Sequence, residues 1–285
     1  MLATTRRTFA FRDRPLHSTA ALLRSKIHFN RLQEVRLADD VPLIADRGHP
    51  NRCYAWTGEL SWTVAAAIAA LLRPGDNFLD IGSFCGQHAM RAARLVGPDG
   101  TVVAVEPDPR SLAWLRRNLD AAKLSQTVDV RPVAAVPDRH PGRVQLRLAP
   151  ISMSSVTSEE PPTEGVQQVD SINFDQLLSQ VQPDLVKIDV EGLDAALVAS
   201  STWLRAADAP ALIVEMNDGV ASAVVEAGYG FVELQDLVAS KDRGLYNISS
   251  DILAYKPDSL DVRSFSFEFT AQLDRLRKAP SVRYL

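Results

Sequence analysis

Two acidic residues and a glycine turn carry the strongest chemical signal in this sequence. Asp80 ends the apolar segment FLD, and the turn GSFCG at 82–86 begins two residues later. Glycine has no side chain to obstruct a ligand, so such a turn lets a ligand approach the backbone closely. Asp80 can attract a positive group, and the helix after the turn offers its N-terminus to a negative one. Glu106 ends the next apolar segment, where a carboxylate can accept hydrogen bonds from both hydroxyls of a ribose.

These residues distinguish between two classes of nucleotide ligand. A dinucleotide-binding turn has the pattern G-x-G-x-x-G, but Phe84 stands where the second glycine belongs. An acid at the first strand end would also repel a pyrophosphate. A nucleoside carrying an ammonium and a sulfonium group fits better, which predicts S-adenosyl-L-methionine as the cofactor. The predicted contacts are Asp80, Gly82, Ser83, Gly86, Glu106 and Pro107.

Alternating strands and helices must position these groups. The pattern predicts strands at 76–81, 101–106, 128–136, 143–148, 183–190 and 209–216. It predicts helices at 59–72, 86–96, 108–124, 172–181, 192–204 and 219–228, with Asp108 as an N-cap and Pro109 at the first helical position. Two late strands, 228–235 and 251–256, have no helix between them. We therefore expect an α/β fold with a mostly parallel sheet, an antiparallel pair at one edge, and a site at the carboxyl ends of the strands.

The remaining segments are less regular. Residues 1–57 form a predicted N-terminal arm, 58–256 the main domain and 257–285 a tail with a charged helical stretch. Within the arm, 32–57 offers at most one short strand. The first 31 residues hold seven Lys or Arg and one acid, which is typical of a transit peptide, a basic arm or a poorly ordered terminus. Long loops are predicted at 149–168 and 236–249, where selectivity for the acceptor should reside.

Three segments together resemble the FkbM-type S-adenosylmethionine-dependent methyltransferases. They are DNFLDIGSFCG, GTVVAVEPDPRSLAWLRRNL and PDLVKIDVEGLDAALV, and the resemblance covers roughly 58–256. It implies a Rossmann-like sheet of seven strands with an antiparallel closing strand, and methylation of a hydroxyl group on a sugar or natural product. The chain departs from the family pattern at Ser83-Phe84, where Ala-Asn is typical, and at His88, which replaces a usual aromatic.

A hydroxyl acceptor must lose its proton during methyl transfer, which requires a base or a metal. Asp189 and Glu191 of KIDVEG lie two residues apart at a strand end and are the first candidates. His88 is a possible base near neutral pH, or else a structural residue. Lys187 is predicted to pair with an acid. The resemblance implies that Glu59 helps to hold the methionine ammonium.

Two further groups of polar residues are candidates for the site. Asp189, Glu215 and Asn217 could supply oxygen ligands for Mg²⁺, although a site without metal, using one carboxylate as the base, is favoured. Ser154 and Ser155 could reach the substrate or the methionine carboxylate, or be solvated.

Composition sets the outer bounds. The chain has 285 residues and a net charge of -4, which gives no reason to expect nucleic acid or an anionic membrane as a partner. Its longest apolar run has nine residues, too few to span a membrane. Cys53 and Cys85 form no disulfide framework, which favours a cytoplasmic location. We expect a methyltransferase acting on a sugar or small molecule; the alternatives are a non-catalytic nucleoside-binding module and, less favoured, an NAD-dependent oxidoreductase.

Overall fold

The computed structural model describes 33–37, 39–45, 59, 61–137, 142–148, 154–157, 165–243 and 250–278, together with Leu16 and Thr19. Most of the predicted N-terminal arm lies outside these residues, including Cys53. So do 149–153, 158–164 and 244–249 of the two predicted loops.

The secondary structure alternates along most of the described chain. The strands are β1 (Gln33–Arg36), β2 (Pro42–Ala45), β3 (Asn77–Ile81), β4 (Thr101–Val105), β5 (Val128–Arg131), β6 (Ala134–Val136), β7 (Arg143–Arg147), β8 (Ser155–Thr157), β9 (Val166–Asn173), β10 (Leu185–Ile188), β11 (Ala211–Glu215), β12 (Gly230–Glu233) and β13 (Asp251–Tyr255). The helices are α1 (Trp62–Leu71), α2 (Gln87–Val96), α3 (Pro109–Ala122), α4 (Phe174–Val181), α5 (Asp194–Ser200), α6 (Val220–Glu226) and α7 (Val262–Lys278). Short 3₁₀ turns follow at Trp203–Arg205 and Leu234–Leu237.

A seven-stranded sheet forms the centre of the molecule. Its order is β12-β13-β11-β10-β3-β4-β5, and β13 pairs antiparallel with both of its neighbours. The other pairs are parallel, which confirms the predicted sheet and its antiparallel closing strand. The carboxyl ends of β3, β4 and β10 therefore lie side by side, and the loops that follow them meet at one edge.

Helices cover both faces of this sheet. Side chains alternate along a strand, so Phe78 packs with α1, α2, α3 and α7, whereas its neighbour Leu79 packs with α4, α5 and α6. Burial on both faces explains why the central strands are mostly apolar. The predicted helical stretch of the tail is α7, which packs on α1 and buries the side chains of Phe265, Phe269, Leu273 and Leu276.

The structure corrects three predicted elements. The segment 128–136 is not one strand: Pro132, which has no N–H to donate, separates β5 in the large sheet from β6 in a smaller one. Residues 166–173 form strand β9, where a loop up to 168 and a helix from 172 were predicted. This strand completes a four-stranded sheet of order β6-β9-β7-β8. Residues 33–45 form the hairpin β1–β2 and not a single short strand.

Within the described part of the chain, no helix combines the length and the apolar composition needed to cross a membrane.

Candidate functional site

A cleft opens where β3, β4 and β10 end. The glycine turn at 82–84, the residues 106–108 after β4 and the residues 189–191 after β10 line it. Three polar lining residues, Gln87, His88 and Lys187, are neighbours, and we call them the polar end of the cleft. The lining residues Ala135, Leu146 and Val156 belong to the small sheet, and we call them the apolar end. The sequence therefore brings most of its predicted site residues to one cleft.

The glycine turn gives a ligand space but few donors. The amides of Gly82 and Ser83 donate to the carbonyl oxygen of Val105 at 3.0 and 3.1 Å, and the amide of Gly86 donates to the Ser83 carbonyl oxygen at 2.8 Å. The hydroxyl of Ser83 donates to the carbonyl oxygen of Asp80 at 2.7 Å. Hence these groups join β3 to β4 and close the turn. Gly86 begins α2 and lies behind the cleft, where a Cβ would stand 2.2 Å from Leu115 Cδ1.

Gly82 permits the close approach of two strand ends. It has a φ of +80°, and a Cβ at this position would lie 1.8 Å from the carbonyl oxygen of Asp189. We expect Gly82→Ala to destabilise the protein by about 3 kcal/mol or more, since the left-handed conformation and the backbone clash each cost about 1–3 kcal/mol. Urea unfolding measures this. Gly142→Ala is the control, because its added Cβ would meet open space, and an equal loss in both variants would contradict the explanation.

Asp80 supplies a buried negative charge beneath the turn. Its side chain is fully buried, and among the described residues neither carboxylate oxygen has a partner at ordinary hydrogen-bond geometry, although the Ala89 amide and Lys187 lie near enough to lower its pKa. Lys187 Nζ lies 3.7 Å from its Oδ1. Burial raises the pKa of Asp80, and the charge of Asp189 adds to this effect while Lys187 opposes it. A carboxylate left so incompletely satisfied is stabilised by a cation near the turn.

Glu106 presents both of its carboxylate oxygens to the cleft region after β4. Oε2 accepts from the amide of Phe84 and Oε1 from the amide of Asp108, each at 2.8 Å. Burial raises the pKa of Glu106 to about 7, and the charges of Asp108 and Asp80 contribute, against the two amide hydrogen bonds. Each oxygen keeps a second lone pair. This geometry fits the two adjacent hydroxyls of a ribose.

The rim beside Glu106 is held by a polar cluster. The Asp108 side chain accepts from the amide of Arg110 at 2.8 Å, and Pro109 opens α3, which confirms the predicted cap. The hydroxyl of Ser154 donates to Asp108 Oδ2 at 2.8 Å and accepts from Arg110 at 3.1 Å. Ser154 therefore lines the cleft as part of its rim, while Ser155 begins β8.

Lys187 joins two acids at the end of β10. Its Nζ lies 3.1 Å from Asp189 Oδ2 and 3.7 Å from Asp80 Oδ1, which confirms that it pairs with an acid. Burial disfavours the ammonium form, but the charges of Asp189 and Asp80 outweigh it and hold the pKa of Lys187 above its usual value. Asp189 is thus partly neutralised by its neighbour.

Glu191 lies in the same loop and lines the cleft. The strand ends at Ile188 and α5 begins at Asp194, two residues later than predicted, so Asp189 and Glu191 do not continue a strand. Glu191 has a φ of +51°. Burial raises its pKa, as do the charges of Asp189 and Asp194. Such a shift moves a carboxylate toward the range in which it can act as a general base.

Asp194 organises this loop, a role that sequence reasoning missed. Its fully buried carboxylate accepts from the amides of Val190 at 3.0 Å and Gly192 at 3.2 Å, and from the side-chain amide of Asn217 at 2.8 Å. An acid at the start of a predicted helix was the available signal.

Asn217 and Glu215, two of the three predicted magnesium ligands, have other neighbours in the structure. Asn217 directs its amide nitrogen to Asp194, and Glu215 lies on β11 opposite Asp251 of β13. In the described ranges, no group of three or more His, Cys, Asp or Glu is arranged to hold a metal ion. Burial and the surrounding acids, Asp189 first, raise the pKa of Glu215 to about 7.

Glu59 has a different partner from the predicted one. Its carboxylate accepts from Arg91 Nη2 at 2.7 Å and from the amide of Ser61 at 3.3 Å, and it does not line the cleft. Arg91 also pairs with Asp39, which precedes β2. The structure therefore places Glu59 in a buried ion-pair network that attaches the hairpin to α2.

Asn118 supports the turn from behind, and sequence reasoning also missed it. Its Nδ2 donates to the Cys85 carbonyl oxygen at 2.8 Å, and its Oδ1 accepts from the amide of Ile44 at 2.7 Å. The LRRN segment of the predicted helix contained it, but nothing in the helical pattern indicated that an asparagine there would be fully buried.

Comparison with known proteins identifies one family model. The model described as the methyltransferase FkbM domain matches residues 80–236, more than half of the chain. This region runs from the end of β3 through β12, and it includes the glycine turn, Glu106 and Glu191.

Curated relatives match over shorter segments. The chain is 46% identical over 52 residues to a protein-L-isoaspartate O-methyltransferase from Methanothrix thermoacetophila, covering 18% of this chain and 25% of the relative. It is 28% identical over 95 residues to a catechol O-methyltransferase from Niastella koreensis, covering 33% and 42%. Both matches span less than half of the relative's length.

Solved structures show low sequence identity. A precorrin-6y C5,15-methyltransferase from Geobacter metallireducens is 16% identical with a TM-score of 0.40, covering 68% of this chain and 87% of that one. Fibrillarin from Aeropyrum pernix, in complex with S-adenosyl-L-methionine, is 14% identical with a TM-score of 0.38, covering 78% and 93%.

Proposed function

The chain belongs to the FkbM family of methyltransferases, and from this premise we propose that it transfers a methyl group from S-adenosyl-L-methionine to a hydroxyl group of a sugar or another small molecule. The observation that carries the proposal is that Glu191, a carboxylate with a raised pKa, lines the same cleft as Glu106. Family membership removes the support for an NAD-dependent oxidoreductase.

The residues of the cleft fit the cofactor. Glu106 is suited to accept from the ribose hydroxyls, and Pro107 borders the same part of the cleft. The apolar end beside Leu146 and Val156 suits a purine ring. The buried carboxylate of Asp80 places negative charge near the cationic end of the ligand. When bound, the sulfonium supplies an electrophilic methyl group.

The protein then has two tasks. It holds the acceptor oxygen in line with the methyl group, an effect that can contribute about 7–11 kcal/mol. It also removes the proton of the hydroxyl, for which Glu191 is the best-placed group. Asp189 is engaged by Lys187 at 3.1 Å. His88 is a poor proton acceptor, because burial and the charges of Lys187 and Arg91 hold its pKa well below the usual value.

A methyl-transfer assay tests this function. The purified chain is incubated with S-adenosyl-L-methionine carrying a labelled methyl group and with fractionated sugars, phenols and other hydroxylated metabolites. We expect acceptor-dependent labelling that appears as an O-methyl signal in the product. Label that appears only on nitrogen, carbon or protein acceptors would contradict the proposal.

We also expect the reaction to proceed without a divalent metal. Asn217 uses its amide nitrogen to hold Asp194, and a carboxylate base is available in the loop. The labelling rate is measured in excess chelator and again after Mg²⁺ is restored. We expect the labelling rate to be unchanged. A loss of activity that Mg²⁺ reverses would instead support a magnesium site formed by Asp189, Glu215 and Asn217.

A further inference from the structure

Two polar side chains at the start of α2 have no place in the chemistry described so far. Gln87 and His88 follow the glycine turn directly, and both line the polar end of the cleft. Their exposed fractions are 8% and 5%, so they are nearly removed from solvent. Buried polar groups are normally hydrogen-bonded, and each exception calls for an explanation.

The two side chains bond to each other and leave one group each unsatisfied. Gln87 Nε2 lies 3.0 Å from His88 Nε2. An amide N–H can only donate, so His88 Nε2 accepts and the ring proton resides on Nδ1. Among the residues described, His88 Nδ1 and Gln87 Oε1 have no hydrogen-bond partner. Two side chains that line the cleft thus carry one unpaired buried donor and one unpaired buried acceptor.

The imidazole stays neutral in this setting. Burial lowers the pKa of His88 well below the usual value, and the nearby charges of Lys187 and Arg91 lower it further. It therefore keeps a single N–H donor throughout the physiological range. A neutral ring with an occupied Nε2 is suited to bind an anionic group, and it has no free acceptor with which to take a proton.

The complementary ligand has an anionic acceptor and a cationic donor close together. An α-amino acid has this arrangement, with a carboxylate and an ammonium on one carbon. Glu106 follows β4, the strand next to β3 on the side away from β10, and is suited to the ribose. The polar end of the cleft is therefore where the amino-acid part of the cofactor would extend.

We propose that Gln87 and His88 bind the methionine end of the cofactor, with Gln87 Oε1 accepting from the ammonium and His88 Nδ1–H donating to the carboxylate. The proposal rests on the cofactor assigned under Proposed function. It transfers to Gln87 the ammonium contact that sequence reasoning gave to Glu59, and it makes His88 a binding residue in place of a base.

Two ligands that differ in the amino-acid group test this contact separately from the rest of the site. S-adenosylhomocysteine and 5′-methylthioadenosine share the nucleoside and the sulfur, but 5′-methylthioadenosine lacks the amino-acid group. Calorimetry measures both in the wild type, Gln87→Met and His88→Phe, with Gln126→Met as a control on an exposed turn at the opposite edge of the sheet. We expect each cleft variant to bind S-adenosylhomocysteine about 10- to 100-fold more weakly, as for the loss of a hydrogen bond to a charged group.

The possible results distinguish a failure of this proposal from a failure of the proposed function. Affinity for 5′-methylthioadenosine should stay within about twofold in every variant, and Gln126→Met should match the wild type. Unchanged affinity for S-adenosylhomocysteine in both cleft variants would overturn the proposal, as would an equal loss for the two ligands. A wild type that binds neither ligand would instead overturn the cofactor assignment on which it depends.

A measurement on the unaltered protein avoids the question of whether the variants fold. In ¹⁵N spectra of labelled histidine, S-adenosylhomocysteine should shift the Nδ1 resonance of His88, and 5′-methylthioadenosine should leave it in place. A shift of the same size with both ligands, or with neither, would contradict the proposed contact.

Discussion

Replacing Glu106 with alanine is expected to weaken the binding of S-adenosylhomocysteine at least about a hundredfold. The variant removes two acceptors for the ribose hydroxyls, and each hydrogen bond to a charged group contributes about 1.5–3 kcal/mol. Calorimetric titration gives the affinity. Because Glu106 also accepts from the amides of Phe84 and Asp108, thermal unfolding must show that the variant is folded at the temperature of the titration.

The pH dependence of the same titration gives an independent test. The ionised carboxylate is the form that accepts from both hydroxyls, and the pKa of Glu106 is about 7. Affinity in the wild type should therefore rise as the pH increases through about 7. Glu106→Gln should lose most of this dependence, and the exposed Glu226→Gln should keep it. Equal affinity in the wild type and Glu106→Ala would contradict the ribose contact.

Glu191→Gln is expected to lower kcat about 10²- to 10⁴-fold, the usual contribution of a general base. The amide keeps the size of the side chain but cannot accept the proton of the acceptor hydroxyl. Steady-state rates with a hydroxyl acceptor measure the effect. The affinity for S-adenosylhomocysteine should change by less than about twofold, because the proposed role places Glu191 against the acceptor and not against the nucleoside.

The pH profile and a comparison variant test whether Glu191 is the base. The wild-type rate should fall at acid pH as Glu191 becomes protonated, with a midpoint above the usual glutamate pKa, and Glu191→Gln should lack this limb. Asp189→Asn is the comparison, since its partner Lys187 is retained. If Asp189→Asn causes the large loss and Glu191→Gln does not, then Asp189 is the base.

The residues that end the strands at the site were predictable, because they depend on the local pattern of apolar and polar residues. Apolar strands that alternate with helices predict a mostly parallel sheet, and Asp80 and Glu106 follow from the position of an acid at each strand end. Strand β9 was not predictable in this way, since only Val169 in it is buried and its sequence VQQVDSIN has no continuous apolar face. Its pairing with β6 and β7 is a long-range contact.

The side chains that complete the site could not be predicted because their burial comes from tertiary packing. Gln87, Asn118 and Asp194 are polar residues at positions where a helix usually faces solvent. Each is buried because a neighbouring element covers it. The family resemblance likewise implied a role for Glu59 but did not indicate its partner. Arg91 lies 32 residues away in the sequence, and only the fold brings the two side chains together.

The central claim is that the cleft after β3, β4 and β10 binds S-adenosyl-L-methionine. The most direct measurement is a crystal structure of the protein with S-adenosylhomocysteine. The claim predicts a nucleoside in this cleft, with both ribose hydroxyls within hydrogen-bonding distance of Glu106 and the sulfur beside the loop at 189–191. A saturated crystal in which the nucleoside lies elsewhere, or in which the Phe84 ring blocks the cleft, would contradict it.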